Sequence, residues 1–154
     1  MKRHKILVVD DDPDMIGQYS FLFGDRYDLI LTSSLQEVYG HPDLKNYRRS
    51  DKGLSPTDFP AVAILDQNLA GKTVPDNADG LRLIGYVKHE LCPFTRAIIA
   101  TAHRGTPQDR GFDAGVNNAD AYIGKAQTEH EWWSLLERFV AEYEILFTHN
   151  VEDK

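Results

Sequence analysis

The sequence lacks the features that define several classes of protein. Its 154 residues contain one cysteine, Cys92, so neither an internal disulfide nor a CxxC metal pair can form. No apolar run approaches the about 18 residues that a membrane span needs. The apolar stretch Ile6-Leu7-Val8-Val9 is also too short for the core of a signal peptide. These absences favour a cytoplasmic protein that neither crosses nor binds a membrane.

Positive charge is scarce as well. The chain has 17 Lys and Arg against 24 Asp and Glu, a formal net charge of −7. Nucleic-acid binding requires clustered cations, so we expect no general DNA- or RNA-binding surface. Apolar residues make up 42% of the chain, which is enough for a core and excludes wholesale disorder. The length predicts a single domain over 1–154.

Five short apolar runs alternate with segments of helical period. Runs such as Ile6-Leu7-Val8-Val9 and Val62-Ala63-Ile64-Leu65 are continuously apolar rather than alternating, which is typical of parallel strands that are covered on both faces. Five such β-α steps predict an α/β protein with helices on both faces of a parallel sheet. The predicted strands are Lys5–Val9, Tyr27–Leu31, Ala61–Leu65, Ala97–Thr101 and Ala119–Ile123.

Two helix starts are marked by their capping residues. Asp12 precedes Pro13, which predicts an N-cap followed by proline at the first helical position. Thr128-x-x-Glu131 is a capping box, and it predicts a C-terminal helix from about 128 to 148, following a core of about 5–126. A weaker helix is predicted over Thr106–Gly115.

The predicted C-terminal helix carries two apolar stripes, where one suffices to cover a sheet face. The second stripe either widens the core face or forms a self-association surface that gives a C₂ homodimer. The first stripe is Trp132, Leu135, Phe139 and Leu146, and the second is Trp133, Leu136, Val140, Tyr143 and Phe147.

Two connections are longer than a compact domain needs. Gly40–Pro60 contains three prolines and a basic cluster, and Ala70–Ala78 is a polar loop. Connections of this length are usually functional or mobile. We expect the second one to cover part of a site and to act as a gate.

Polar side chains follow the predicted strands at their carboxyl ends, where open α/β sheets bind ligands. The first strand ends in Asp10 and Asp11, the third in Asp66, the fourth in Thr101, and the fifth is followed by Lys125. Three carboxylates repel one another unless a cation intervenes. One divalent cation and one ammonium would balance their charge, so the pattern predicts a site for Mg²⁺ or Mn²⁺.

This pattern resembles the receiver domain of response regulators in two-component signalling. The run Ile6-Leu7-Val8-Val9-Asp10-Asp11-Asp12-Pro13 is similar to the opening of that family, and Asp66, Thr101 and Lys125 follow in its order. The resemblance covers about 5–126. It implies a flavodoxin-like, doubly wound, five-stranded parallel sheet of order 2-1-3-4-5. It also implies a phosphorelay protein with no enzymatic activity beyond its own phosphorylation and slow dephosphorylation.

The resemblance assigns an acceptor and a metal site. Asp66 matches the aspartate that accepts a phosphoryl group from a sensor histidine kinase or phosphotransfer protein. Asp10 and Asp11 match the acidic pair that binds Mg²⁺ together with Asp66. Asn68 matches the residue that adds a backbone carbonyl. Phosphorylation would then shift a conformational equilibrium that controls an unknown downstream protein.

Four further residues match switch or modulating positions of that family. Thr101 and Lys125 match the hydroxyl and the ammonium that bind the phosphoryl group. Tyr122 matches an aromatic whose rotamer follows the phosphorylation state. His103, like Asn68, lies where receivers vary the residue that influences dephosphorylation.

The chain departs from the family pattern in two places. The loop after Asp66 is about six residues longer, and the usual Lys-Pro step is Lys125-Ala126. These changes leave the assignment of Asp66 intact, but they put the usual partner surface around the third and fifth strands in doubt. Too few residues follow Lys125 for an output domain, so we expect a stand-alone receiver or a chain that continues beyond Lys154.

Two other functions stay open at this point. A phosphatase of the haloacid-dehalogenase type would use Asp10 as nucleophile and Asp12 as acid/base, but it needs a later strand that ends in an acidic pair. A degenerate receiver would act only as a binding module, without phosphorylation. The complete acidic set argues against this second alternative.

Overall fold

The structure, a computed structural model, describes residues 2–50, 54–66, 78–101 and 119–152. These residues form five parallel strands in the order β2-β1-β3-β4-β5, which confirms the predicted doubly wound sheet. Each predicted strand is present, and its bounds differ by no more than two residues. The strands are β1 (Lys5–Val9), β2 (Asp28–Thr32), β3 (Pro60–Asp66), β4 (Arg96–Thr101) and β5 (Ala121–Gly124).

Helices pack on both faces of this sheet. All seven residues of the central strand β3 are buried, which explains why the sequence of that strand is continuously apolar. No helix in the described ranges combines the length and the apolar character that a bilayer span requires. The helices are α1 (Pro13–Phe23), α2 (Leu35–Tyr39), α3 (Ala78–Tyr86), which continues into a π-helical turn (Val87–Leu91), and the C-terminal helix α4 (Glu129–Glu152).

Helix α1 begins as its sequence predicts. The Asp12 carboxylate accepts a hydrogen bond from the backbone N–H of Asp14 at 3.0 Å, and the Asp12 carbonyl accepts from Ile16 at 3.1 Å. Pro13 occupies the first turn, where a missing N–H costs nothing. Tyr19 and Phe23 are buried against the sheet. The cap therefore determines where the chain leaves the carboxyl edge of β1.

The predicted capping box of α4 is also present. The Thr128 hydroxyl accepts from the Glu131 N–H, and the Glu131 carboxylate accepts from the Thr128 N–H, each at 3.3 Å. The helix ends at Glu152, beyond the predicted end near residue 148.

The buried face of α4 draws on both apolar stripes, which agrees with the alternative that the second stripe widens the core face. A homodimer through this helix stays a prediction. Tyr143 and Phe147 belong to the core, and Val140 packs against it. Leu146 of the first stripe is instead exposed. Adjacent stripes are about 100° apart on a helix, so one wide face buries both when it contacts more than a sheet. The fully buried residues are Trp132, Leu136, Phe139, Tyr143 and Phe147.

The additional surface that α4 contacts is the long connection 40–60. Tyr47 of this connection is buried, and its ring lies 5.5 Å from Phe59 and 5.8 Å from Phe147 between centroids. The Tyr143 hydroxyl donates to the Pro56 carbonyl at 2.6 Å. The connection forms two short 3₁₀ turns, Tyr47–Arg49 and Pro56–Asp58. Its described residues therefore pack at the amino end of β3, opposite the edge where Asp66 lies.

We expect Phe147→Ala to lower the free energy of unfolding by about 3–5 kcal/mol, because it leaves a cavity in this aromatic cluster. Ile145→Ala is the matched control on the same helix, since Ile145 is 69% exposed; its effect should stay within about 0.5 kcal/mol. Urea unfolding followed by circular dichroism measures both. Equal effects of the two substitutions would contradict the observed burial of α4.

Candidate functional site

Asp10 is held at the carboxyl end of β1 by its neighbours in the fold. Its backbone N–H donates to the Thr32 carbonyl at the end of β2 at 3.0 Å. Its Oδ1 accepts from the Asp12 N–H at 2.9 Å, and the residue is only 1% exposed. The Thr32 hydroxyl donates to the Val8 carbonyl at 2.8 Å, which joins the two strand ends. The first carboxylate of the site is therefore oriented by the backbone.

Asp66 and Asp11 complete an acidic cluster with Asp10. Asp66 is the last residue of β3 and is 5% exposed, whereas Asp11 lies on the exposed rim. One carboxylate oxygen from each of the three residues lies within 4.8 Å of the other two. The fold thus brings together the three carboxylates that the sequence places at separate strand ends.

Lys125 follows β5 and bridges the two buried carboxylates. Its Nζ lies 2.8 Å from Asp10 Oδ2 and 3.3 Å from Asp66 Oδ1. Burial by itself lowers the pKa of Lys125, but the hydrogen bond to Asp10 and the negative charges of Asp66 and Asp10 outweigh burial. The pKa is therefore raised above its usual value, and the ammonium stays protonated. The ion pair offsets part of the repulsion between the carboxylates.

Thr101 lies beside this bridge. It is buried at the end of β4, opposite Gly124 of β5, and its carbonyl accepts a hydrogen bond from the Lys125 N–H at 2.8 Å. Tyr122 is half-buried on β5, opposite Ile99, and packs on the α2–α3 side of the sheet.

Other predicted features lie outside the described residues. These are Asn68, His103, the helix predicted over Thr106–Gly115 and the loop Ala70–Ala78 up to residue 77. The structure consequently tests neither the backbone ligand nor the modulator of dephosphorylation. The gate proposed for the loop is likewise untested.

Asp120 is a positioning residue that the sequence reasoning missed. Its carboxylate accepts from the Lys88 ammonium at 2.6 Å and from the Ala97 N–H at 2.8 Å, and it pairs with Arg96 at 3.2 Å. These contacts fasten the start of β5 to β4 and to the π-helical turn, and so determine where Lys125 emerges. The only signal in the sequence was an acidic residue inside the predicted strand Ala119–Ile123.

Tyr19 of α1 is a second residue that lies near the acidic cluster and that the sequence did not assign to the site. Burial chiefly raises the pKa of its hydroxyl, and the negative charges of Asp10 and Asp66 raise it further. The phenol therefore stays neutral beside the acidic cluster. The sequence identified Tyr19 only as part of the apolar face of α1.

The donor set fits a hard divalent cation. Three ionised carboxylates and one ammonium leave a charge of −2, which Mg²⁺ or Mn²⁺ would balance. Carboxylate oxygens are the ligands that these ions prefer. Asp11 on the rim leaves the site open to solvent, where water or a phosphoryl oxygen would complete the coordination.

The phosphatase alternative receives no support from this geometry. It needs Asp12 as an acid/base next to Asp10, but the Asp12 carboxylate caps α1 and is exposed. Asp66, which that mechanism leaves without a role, lies instead in the acidic cluster.

Comparisons with solved structures agree with the fold. The chain is similar to a CheY-like receiver domain from Methanospirillum hungatei JF-1, with a TM-score of 0.68 and 18% identity, over 92% of this chain and 97% of that one. It is similar to the receiver domain of a Luxo repressor protein from Vibrio parahaemolyticus, with a TM-score of 0.68 and 20% identity, over 95% and 96%.

A third similar structure is a BeF₃-activated receiver domain of DrrB, a Thermotoga maritima protein. Its TM-score is 0.62 at 20% identity, over 90% of this chain and 98% of that one. No protein-family model and no curated protein sequence matches the chain. These similarities show that the chain has the fold of response-regulator receiver domains.

We expect Asp11→Asn to weaken Mg²⁺ binding by about tenfold or more, because it removes one charged oxygen ligand. Asp12→Asn is the matched control: it removes the neighbouring charge, but asparagine caps a helix as well as aspartate does. Isothermal titration calorimetry with Mg²⁺ measures both variants. Equal weakening by the two would indicate that bulk negative charge, rather than the cluster, binds the ion.

Proposed function

We propose that the protein is a phosphoacceptor receiver of a cytoplasmic two-component phosphorelay and that Asp66 accepts the phosphoryl group. The observation that carries this proposal is the bridge from Lys125 to Asp10 and Asp66, with Asp11 on the open side of the same cluster. A carboxylate that is buried, paired with an ammonium and reachable from a metal site has the surroundings that acyl phosphate formation needs.

The proposed reaction transfers one phosphoryl group between two side chains. An Asp66 oxygen attacks the phosphorus of a phosphohistidine on a sensor kinase or phosphotransfer protein. The phosphorus–nitrogen bond breaks, an acyl phosphate forms on Asp66, and the imidazole leaves. A bound Mg²⁺ would supply charge stabilisation for the phosphoryl oxygens, and Asp10, Asp11 and Asp66 are the side chains that would hold it.

Phosphorylation of Asp66 adds negative charge to the site, and we expect this charge to change the conformation of the protein. Phosphorylation converts a charge of −1 into roughly −2. In this proposal Lys125, which already contacts Asp66, pairs with the new charge, and the Thr101 hydroxyl at the adjacent strand end donates to a phosphoryl oxygen. We propose that this rearrangement, together with the half-buried Tyr122, shifts the population of two conformers that a downstream protein distinguishes.

The proposal treats the chain as one receiver unit without enzymatic activity beyond its own phosphorylation and dephosphorylation. All of the residues invoked so far lie at one edge of one sheet. The roles of Asn68 and His103 in tuning the lifetime of the phosphorylated state are part of the same proposal.

We expect acetyl phosphate to label the wild-type protein only in the presence of Mg²⁺ or Mn²⁺, and Asp66→Asn to abolish the label. The reason is that the proposed acceptor oxygen is lost while the metal-binding pair remains. Mass spectrometry of the intact protein measures an added phosphoryl group that hydroxylamine removes, as expected for an acyl phosphate.

The position of a trapped phosphoryl analogue separates the proposal from its alternatives. Beryllofluoride should bind at Asp66; capture at Asp10 would support the phosphatase instead. Asp12→Asn should label like the wild type. A wild-type protein that takes up neither acetyl phosphate nor beryllofluoride in the presence of Mg²⁺ would indicate a degenerate receiver.

A further inference from the structure

A second concave site lies at the opposite edge of the sheet from the acidic cluster. It is a cleft of 650 Å³ between the start of β1, strand β2 as far as Leu31, the end of α1 and the long connection 40–60. This volume is within the range of sites that bind small molecules, about 300–1,000 Å³. Lys5, which lines the cleft, begins the strand that Asp10 follows, so the two sites are about 16 Å apart along β1 at 3.3 Å per residue.

The lining of the cleft is cationic in a chain whose net charge is −7. It includes Lys2, Arg3, Lys5 and Lys45. Arg3 Nη1 donates to the Gly24 carbonyl at 3.2 Å, which holds the guanidinium beside the cleft.

The lysines of this cleft differ from the two other lysines that the structure describes. Lys88 and Lys125 both form ion pairs with aspartates. Lys2, Lys5 and Lys45 make no ion pair within the part of the chain that the structure describes. Their positive charge is therefore available to an anionic ligand.

Two carboxylates also line the cleft. One of them accepts a hydrogen bond from a backbone N–H, and the other lies beside a lysine. Asp58 accepts from the Ser55 N–H at 2.9 Å, which closes the capping box of a 3₁₀ turn. Asp28 lies beside Lys5 in the register of β1 and β2. The formal charge of the lining remains +2, so the cleft favours an anion.

The remaining wall is apolar. Tyr27, Leu29 and Leu31 line the cleft, and Leu31 is 37% exposed although it is a large hydrophobic residue on a strand. A simple inorganic anion would not cover these apolar side chains, and they would stay exposed to solvent. A ligand that carries both an anionic group and a flat apolar group would use both parts of the lining.

We propose that this cleft binds a small organic phosphate of nucleotide size, with its phosphoryl group at the lysines and its planar group on Leu29 and Leu31. The long connection gives this site its second wall, because Lys45, Thr57 and Asp58 all belong to it. This long connection thus contributes three residues to a proposed binding site that is distinct from the proposed phosphoacceptor site.

The test measures ligand binding in EDTA, so that metal-dependent binding at the acidic cluster does not contribute. ADP is the probe, inorganic pyrophosphate represents the anion alone, and adenosine represents the planar group alone. Isothermal titration calorimetry should show that ADP binds more tightly than pyrophosphate and that adenosine does not bind measurably. Asp66→Asn should bind ADP like the wild type, which separates this result from any outcome at the proposed phosphoacceptor.

Two variants locate the binding. Lys45→Gln should weaken ADP binding by about tenfold, the loss expected for one charge-assisted hydrogen bond. Arg48→Gln is the matched control, because Arg48 is an exposed cation on the same connection that does not line the cleft; its affinity should stay within twofold of the wild type.

Three outcomes would overturn the proposal. The first is the absence of ADP binding at millimolar concentration. The second is equal affinity for pyrophosphate and ADP, which would remove the organic part of the ligand. The third is equal weakening by Lys45→Gln and Arg48→Gln, which would indicate non-specific attraction to the basic connection.

Discussion

The shared ammonium of Lys125 is the interaction on which the carboxyl edge of the sheet depends. Asp10 and Asp66 are both nearly inaccessible to solvent and carry like charges on adjacent strands. Without a cation between them, the repulsion of their charges would be uncompensated. Lys125 lies between them because β5 ends beside Thr101, and β5 is in turn held at its start by Asp120. The Lys125 ammonium therefore offsets the repulsion between the two carboxylates at this edge before any ligand binds.

The two edges of the sheet differ in charge and in what stabilises them. The carboxyl edge gathers acids that are offset by one lysine. At the amino edge, by contrast, Tyr47, Phe59, Tyr143 and Phe147 bury the long connection against the end of α4, and a cationic cleft opens next to this cluster. Because the strands are short, the sheet separates these two environments by only about 16 Å. The acidic cluster and the cationic cleft therefore lie at opposite edges of the same sheet.

The features that were predictable from the sequence depend on short-range rules. A strand that is covered on both faces is apolar along its buried residues, so the buried runs of β1, β3 and β4 were recognisable from their composition. Asp12 and Thr128 cap helices through contacts within three residues along the chain. Parallel strands direct all their carboxyl ends to one edge, which is why Asp10, Asp66, Thr101 and Lys125 could be grouped without coordinates.

The parallel sheet, the helix starts and the members of the acidic cluster follow from local pattern and strand direction, so the amino-acid sequence encodes them directly. Which face of α4 is buried depends instead on tertiary contacts: Tyr143 and Phe147 lie in the core because a connection about 90 residues earlier in the chain packs against them. The tertiary structure alone also showed that Asp120 fastens β5 and that Lys2, Lys5 and Lys45 converge on one cleft. These outcomes depend on contacts between distant segments, and no periodicity within a single segment encodes them.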